Sequence, residues 1–269
     1  MSDFAPTAAA SLVVMIGQPI AQAFLPARFN ARFRDEGLNA LMAPIDLAPE
    51  RLPDFFASLR GWSNCRGCVV TAPHKQAVAS LVDILSPRAA LLGAVNLVVR
   101  AGDGTLEGDN VDGAGFVAAL LGNAFDIEGA HAIVFGCGGA GSSIALALAE
   151  NGAAALRLVD RESDRAARLA ELVSGQGHAR PDTGVPEWLD GFDLVINASA
   201  AGLGGQGMVF PLDTLVPGSL VADVVTDPVI TPWLEAAKAR GCRVQTGPEM
   251  AAGQFGLIAE RLGFRLRKD

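Results

Sequence analysis

The sequence predicts an α/β protein of two domains: an N-terminal α/β domain, then a doubly wound domain on a parallel sheet, with a C-terminal helix returning to the first. Three observations predict it. Short apolar runs of strand character alternate with helical patterns along almost the whole chain, as β-α-β units do. A glycine-rich turn, Gly136-Cys137-Gly138-Gly139-Ala140-Gly141, stands between one such run and a helix. The length, 269 residues, suits one large or two modest domains at about 150 residues each.

The elements follow in order. Residues 12–16 read as a strand and 20–36 as a helix closed by Gly37. Residues 40–46 are a second strand, and 49–59 a helix with Pro in its first turn. A strand over 67–71 precedes a helix over 74–83, behind Pro73. Residues 94–100 and 105–109 form a hairpin around Gly102-Asp103-Gly104. A helix over 112–121 leads to the second series: strand 132–135, helix 142–150, strand 156–159 and helix 161–173. Strands at 193–197 and 220–223, a helix over 231–240, a last strand around Val244 and a helix over 249–266 complete the chain. The domains are set at 1–111 with 246–269, and at 112–245.

Composition narrows the function. Half the residues are hydrophobic, enough for a sizeable core. A net charge of −8 disfavours nucleic acid and anionic membrane surfaces as partners. No apolar run reaches the roughly 18 residues of a membrane span, and the N-terminus lacks a basic signal-peptide start, so the cytoplasm is expected. Cys65 and Cys68 form a lone C-x-x-C without further ligands, so they and Cys137 and Cys242 read as free thiols, and no metal is expected. His131 and His178 carry no motif and read as solvated or packing residues. A monomer or a homodimer is the expectation from base rates alone.

The spacing Gly136-x-Gly138-x-x-Gly141 carries chemistry in its strand-to-helix context. The first glycine permits the turn, the second lets backbone approach a pyrophosphate, and the third allows close helix packing. The N–H groups at the helix start then hold phosphates. Gly139 and Ala140 belong to the same cradle. Asp160 ends the next strand about 20 residues on, where an acid meets the adenosine ribose hydroxyls. It repels a 2′-phosphate, which favours NAD over NADP. Arg161, a surface for adenine or a partner for a 2′-phosphate, keeps NADP open. Asp160 also suits a helix N-cap. Ala198 and Val224, just after the strands at 193–197 and 220–223, and Gly247 complete the candidate nucleotide contacts.

Other segments carry a wider likeness: Gly17-Gln18-Pro19-Ile20-Ala21, Val70-Thr71-Ala72-Pro73-His74-Lys75, Gly93-Ala94-Val95-Asn96 and Asn110-Val111-Asp112-Gly113. With the glycine turn, Asp223, Thr231-Pro232, Gly247, Met250 and Gln254, they occur in the order and spacing of the shikimate dehydrogenase family, which the chain resembles over nearly its whole length. The resemblance implies an N-terminal substrate domain, a Rossmann domain, and reversible oxidation of a ring hydroxyl of shikimate, quinate or a related cyclic alcohol. It implies Lys75 and Asp112 as the catalytic pair, with Thr71, Asn96 and Gln254 on the substrate hydroxyls. The residue types fit, because oxidising an alcohol needs a group to take its proton, and amides and hydroxyls both donate and accept. A lysine beside a carboxylate titrates with it as a unit, so either can carry the proton.

The likeness breaks at several places. Where the family places two serines for the substrate carboxylate, this chain has Ala23-Phe24-Leu25-Pro26. Thr226 replaces a tyrosine, Val69 an asparagine and Val111 a threonine. Each change removes polarity from the expected substrate side, so a less polar substrate is a second expectation. Arg28 and His74 are the nearby residues able to supply a substitute. A methylene-folate or amino-acid dehydrogenase is disfavoured by Lys75, Asn96 and Asp112 occurring in those segments. A nucleotide-binding regulator with little activity is disfavoured by the intact Lys75–Asp112 pair.

Overall fold

The computed structural model describes residues 6–177 and 179–267. His178 lies outside the described residues. Internal contacts divide the chain into two units: the first runs to Val111 and resumes at Phe255, and the second spans Asp112–Gln254.

The first unit contains β1 (Ser11–Gly17), α1 (Leu25–Asp35), β2 (Ala40–Asp46), α2 (Leu52–Leu59), β3 (Cys65–Val70), α3 (Lys75–Val78), β4 (Ile84–Leu85), α4 (Pro87–Leu92), β5 (Leu97–Arg100) and β6 (Leu106–Asp109). The sheet order is β2-β1-β3-β5-β6-β4. The first three strands are parallel, and β5 runs antiparallel to both β3 and β6, which is the expected hairpin. The apolar positions of α2 fall at 52, 55, 56 and 59, one helical stripe, and it packs on Val14, Ile16, Cys68 and Val70. Phe29 and Phe33 of α1 pack against Phe255 and Phe264 with tilted rings at centroid distances of 4.2 and 4.8 Å.

Two expected helices shrink here. The first begins at Leu25 with Pro26 in its first turn, where a missing N–H costs nothing; residues 20–23 turn instead, Ala23 N–H donating to the Ile20 carbonyl at 2.9 Å. The helix expected over 74–83 keeps only α3. The Ser80 hydroxyl bonds back to the Ala77 carbonyl at 2.9 Å, competing with the helical ladder. A helix the sequence reading omitted, α4, is capped by Ser86 accepting the Ala89 N–H at 3.1 Å and stopped by Gly93 at φ +58°.

The second unit contains α5 (Asp112–Gly122), β7 (His131–Phe135), α6 (Gly139–Glu150), β8 (Ala155–Val159), α7 (Ser163–Ser174), β9 (Arg180–Thr183), β10 (Leu194–Asn197), β11 (Leu220–Asp223), α8 (Pro232–Ala239) and β12 (Arg243–Gln245), followed by α9 (Gly247–Arg261). All six strands are parallel in the order β12-β11-β10-β7-β8-β9. The winding reverses between β7 and β10, so a crevice opens beyond their carboxyl ends. Side chains alternate along β7: Ala132 and Val134 join a cluster with Ile144 and Leu148, while Ile133 and Phe135 join one with Trp233 and Leu234. Strand β9 was not anticipated. Its Pro181 weakens the strand signal and is tolerated because β9 is an edge.

The sequence set the return to the first unit at 246. The described boundary falls inside α9, because its first half packs on α5. A side chain at Gly253 would sit 2.2 Å from the Gly115 carbonyl oxygen, and one at Gly115 would sit 2.2 Å from Gln254 Cγ. On its other side α5 meets α6 as closely: a side chain at Gly113 would lie 2.2 Å from the Ser143 carbonyl oxygen.

All four cysteines are buried and unpaired. Burial pushes each thiol up, that of Cys137 to about 12.

Two predictions follow from this packing. Gly113→Ala should lower Tm by about 5–10 °C through overpacking worth about 2–3 kcal/mol, whereas Gly122→Ala, with open space around it, should stay within about 1 kcal/mol of the parent. Thermal melts of the two variants check this, and equal effects would refute it. A disulfide-exchange reagent at pH 8 should react rapidly with no thiol in the native protein and with four after unfolding, since only about one Cys137 in ten thousand is a thiolate at that pH.

Candidate active site

The glycine turn leaves the carboxyl end of β7. Gly136 adopts φ +100°, and a side chain there would lie 2.9 Å from the Ala198 backbone. A side chain at Gly141 would lie 1.8 Å from the Gly136 carbonyl oxygen, so the turn and the start of α6 touch through backbone alone. Gly138 is the N-cap of α6, makes no side-chain cap bond and faces open space. The helix therefore begins one turn earlier than the expected 142, within the glycine run, and Gly139, Ala140 and Gly141 form its first turn. Backbone N–H groups without a side-chain cap, beside open space, are what a bound pyrophosphate requires. The residues fit a dinucleotide.

Asp160 follows β8 beside this turn. Its carboxylate accepts the Cys137 N–H at 2.7 Å and the Glu162 N–H at 3.0 Å, and Arg165 lies 3.8 Å away. The bond to the Glu162 N–H closes a local turn ahead of α7, which starts only at Ser163 with Glu162, and not Asp160, as its N-cap. Burial pushes the Asp160 carboxyl up, but the two N–H groups and the Arg165 and Arg161 charges outweigh it, so its pKa lies below the usual carboxylate range. Arg161 is exposed.

Ala198 follows β10 and packs on both Gly136 and Gly141. Val224 follows β11 and donates its N–H to the Asn197 carbonyl at 3.0 Å. A side chain at Gly247 would lie 2.7 Å from the Val224 carbonyl oxygen, so these two candidates meet. A buried network beneath them escaped sequence reasoning. Asp223 accepts from Asn197 Nδ2 at 3.0 Å, Val225 N–H at 2.9 Å and the Thr231 hydroxyl at 2.8 Å. Burial pushes the Asp223 carboxyl above its ordinary range, and these three donors only partly offset it. The Ser199 hydroxyl donates to Asn197 Oδ1 at 2.7 Å, which shapes the loop beside the glycine turn.

Asp112 opens α5 and is buried. Its Oδ1 accepts from Gln254 Nε2 at 3.2 Å, so two candidates far apart in sequence are direct partners. The Gly113 N–H donates to the Ser143 hydroxyl of α6 at 2.8 Å.

In the first unit, Thr71, Lys75 and Asn96 gather at the carboxyl edge of β1 and β3. The Thr71 N–H donates to the Ile16 carbonyl at 2.9 Å, and the Lys75 carbonyl accepts from Val95 N–H at 2.8 Å. Asn96 is buried, and its Oδ1 accepts the Val111 N–H at 2.9 Å, so it also holds the end of the hairpin. Of the two suggested substitutes for the missing serines, His74 is committed elsewhere. It is buried and places Nε2 2.8 Å from the Leu47 carbonyl, so the ring donates there, while Nδ1 has no partner among the described residues. No metal-binding cluster occurs among the described residues, and no helix there is long and apolar enough to cross a membrane.

Comparison with known proteins identifies the family. The family model of the shikimate dehydrogenase substrate binding domain matches residues 15–98, and that of shikimate / quinate 5-dehydrogenase matches residues 119–203. The shikimate dehydrogenase (NADP(+)) of Rubrobacter xylanophilus is 38% identical over 93% of this chain and 89% of its own length. Among solved structures, shikimate 5-dehydrogenase from Listeria monocytogenes, in complex with shikimate and NAD, superposes with a TM-score of 0.86 at 28% identity, covering 97% of this chain and 94% of that one. A 5-ketofructose reductase of Gluconobacter gives a TM-score of 0.86 at 30% identity, covering 96% and 95%. The chain belongs to the shikimate dehydrogenase family of NAD(P)-dependent oxidoreductases.

Proposed function

We propose that the protein reversibly oxidises a ring hydroxyl of shikimate, quinate or a related cyclic alcohol, with NAD as the preferred acceptor. The observation that carries this reading is Asp112, buried at the start of α5 and bonded to Gln254, on a helix anchored through Gly113 to α6, which itself opens at the glycine turn. An acid so fixed relative to a nucleotide cradle suits proton transfer beside a nicotinamide. The first unit is the substrate domain and the second the nucleotide domain.

A nicotinamide dinucleotide held at the glycine turn would supply the hydride acceptor for oxidation of the carbinol carbon. Lys75 and Asp112 act as a pair that removes the hydroxyl proton in oxidation and returns it in reduction. Thr71, Asn96 and Gln254 hydrogen-bond the remaining hydroxyls, each able to donate and accept. Gly136 to Gly141 would hold the pyrophosphate through backbone, and Ala198, Val224 and Gly247 would complete the nucleotide contacts. Asp160 would accept from the adenosine ribose hydroxyls, and Arg161 would face the adenine. Its carboxylate is already turned toward the glycine turn by the Cys137 N–H and stays ionised at neutral pH, which opposes a 2′-phosphate. This preference differs from that in the name of the Rubrobacter relative. The second reading, a less polar substrate, draws support from Ala23 and Leu25, which offer no hydrogen bond to a carboxylate. The four unpaired, buried cysteines suit the reducing cytoplasm, and the chain works as a monomer or homodimer.

Lys75→Ala should reduce kcat by about 10²- to 10⁴-fold while leaving NAD affinity, read by fluorescence titration, unchanged; an unaltered kcat removes Lys75 from the mechanism. The ratio of kcat/KM with NAD to that with NADP should exceed one in the parent. It should fall about tenfold or more in Asp160→Asn, and a parent preference for NADP sinks the assignment.

A further inference from the structure

We infer that Arg28 is a specificity-determining residue whose guanidinium binds the carboxylate of a ring hydroxy acid. The inference deepens the proposed function and rests on it for the position of the reacting ring.

Helix α1 carries Arg28, Arg32 and Arg34. Arg32 pairs with Glu36 at 2.5 Å and Arg34 lies 3.4 Å from Asp35. Arg28 has no acid partner among the described residues. Its guanidinium carbon instead lies 5.5 Å from the Phe255 ring centre and 6.0 Å from that of Phe24. Phe255 is itself held against Phe29 at 4.2 Å. Aromatic contacts occupy the faces of a guanidinium, whereas its five N–H groups point outward in its plane. Arg28 is thus oriented without its donors being consumed, the arrangement a bidentate carboxylate contact requires.

Its location fits. Residues 17–24 leave the carboxyl end of β1 against Thr71 and Ala72: a side chain at Gly17 would lie 2.4 Å from Thr71 Cγ2, and Gln18 N–H donates to the Ala72 carbonyl at 3.1 Å. Lys75 follows within the same connection from β3. That segment feeds directly into the first turn of α1, where Arg28 stands.

The other side-chain donors between residues 22 and 30 are spent, and His74 is committed as well. Ala23, Phe24 and Leu25 have none in their side chains. Gln22 Nε2 donates to the Pro19 carbonyl at 2.8 Å. The Asn30 amide is bound in both directions to Met42, at 2.9 and 2.8 Å. His74 is held by Leu47.

Equilibrium binding to the full-length protein tests the inference, with shikimate and its methyl ester as probes that differ only in the masked carboxylate. The parent should bind the acid at least tenfold more tightly than the ester. Arg28→Met, which keeps an apolar stem on the two rings, should erase that preference, and Arg28→Lys should retain part of it, with NAD affinity and Tm unchanged in both. A parent without preference for the acid, or a preference that survives in Arg28→Met, overturns the inference. Turnover by the same samples is read separately. Arg28-dependent binding without any NAD- or NADP-linked turnover upholds Arg28 and removes the proposed reaction.

Discussion

Helix α5 is held on two sides by contacts that admit no side chain. At Gly113 it lies against the backbone of α6, and at Gly115 against that of α9. Such approaches fix a helix more rigidly than interleaved side chains, because backbone has no rotamer to yield. Asp112 heads α5, Gln254 lies on α9 and the glycine turn opens α6. The mutual position of acid, amide and glycine turn is therefore set by three helices in backbone contact. The same device recurs where Gly136 and Gly141 meet each other and Ala198. The chain spends its glycines where precision between elements matters.

Much of this arrangement is legible in the amino-acid order. The parallel sheet of the second unit, its glycine turn and the acid at the end of β8 all follow from local pattern and spacing. What local pattern misses depends on contacts distant in sequence. A helix over 74–83 satisfies periodicity, yet the chain turns after Val78, where the Ser80 hydroxyl bonds back to the Ala77 carbonyl. Strand β9 exists because β8 offers it an edge, which Pro181 conceals. The bond between Asp112 and Gln254 spans most of the second unit, and the two glycines that permit it look like ordinary helix glycines. The network around Asp223 likewise has no signature beyond a few polar residues near strand ends. Family likeness pointed to several of these positions without indicating which of them touch.

Charge is distributed with similar economy. The chain is strongly acidic, and the arginines near its sites are mostly held by acids or carbonyls. Arg165 lies by Asp160 and Glu162, Arg261 by Asp109, and Arg100 donates to the Arg60 carbonyl. Asp160 shows the converse. It is an anion stabilised by peptide N–H groups, one of them from the turn expected to meet phosphate. In the proposed reading, recognition of the ribose and of the pyrophosphate shares a single hydrogen-bonded unit, so alteration of one disturbs the other.

The first unit is interrupted in sequence. Its α1 rings, Phe29 and Phe33, find their partners in Phe255 and Phe264, more than two hundred residues later. During synthesis the sheet of this unit emerges early, but the aromatic layer over α1 cannot close until Phe255 and Phe264 have left the ribosome. The second unit, continuous from Asp112 to Gln254, has all its strands available before then. The part of the molecule translated first is the last to be completed, so until then the nascent chain carries exposed aromatic surface that cellular chaperones would meet.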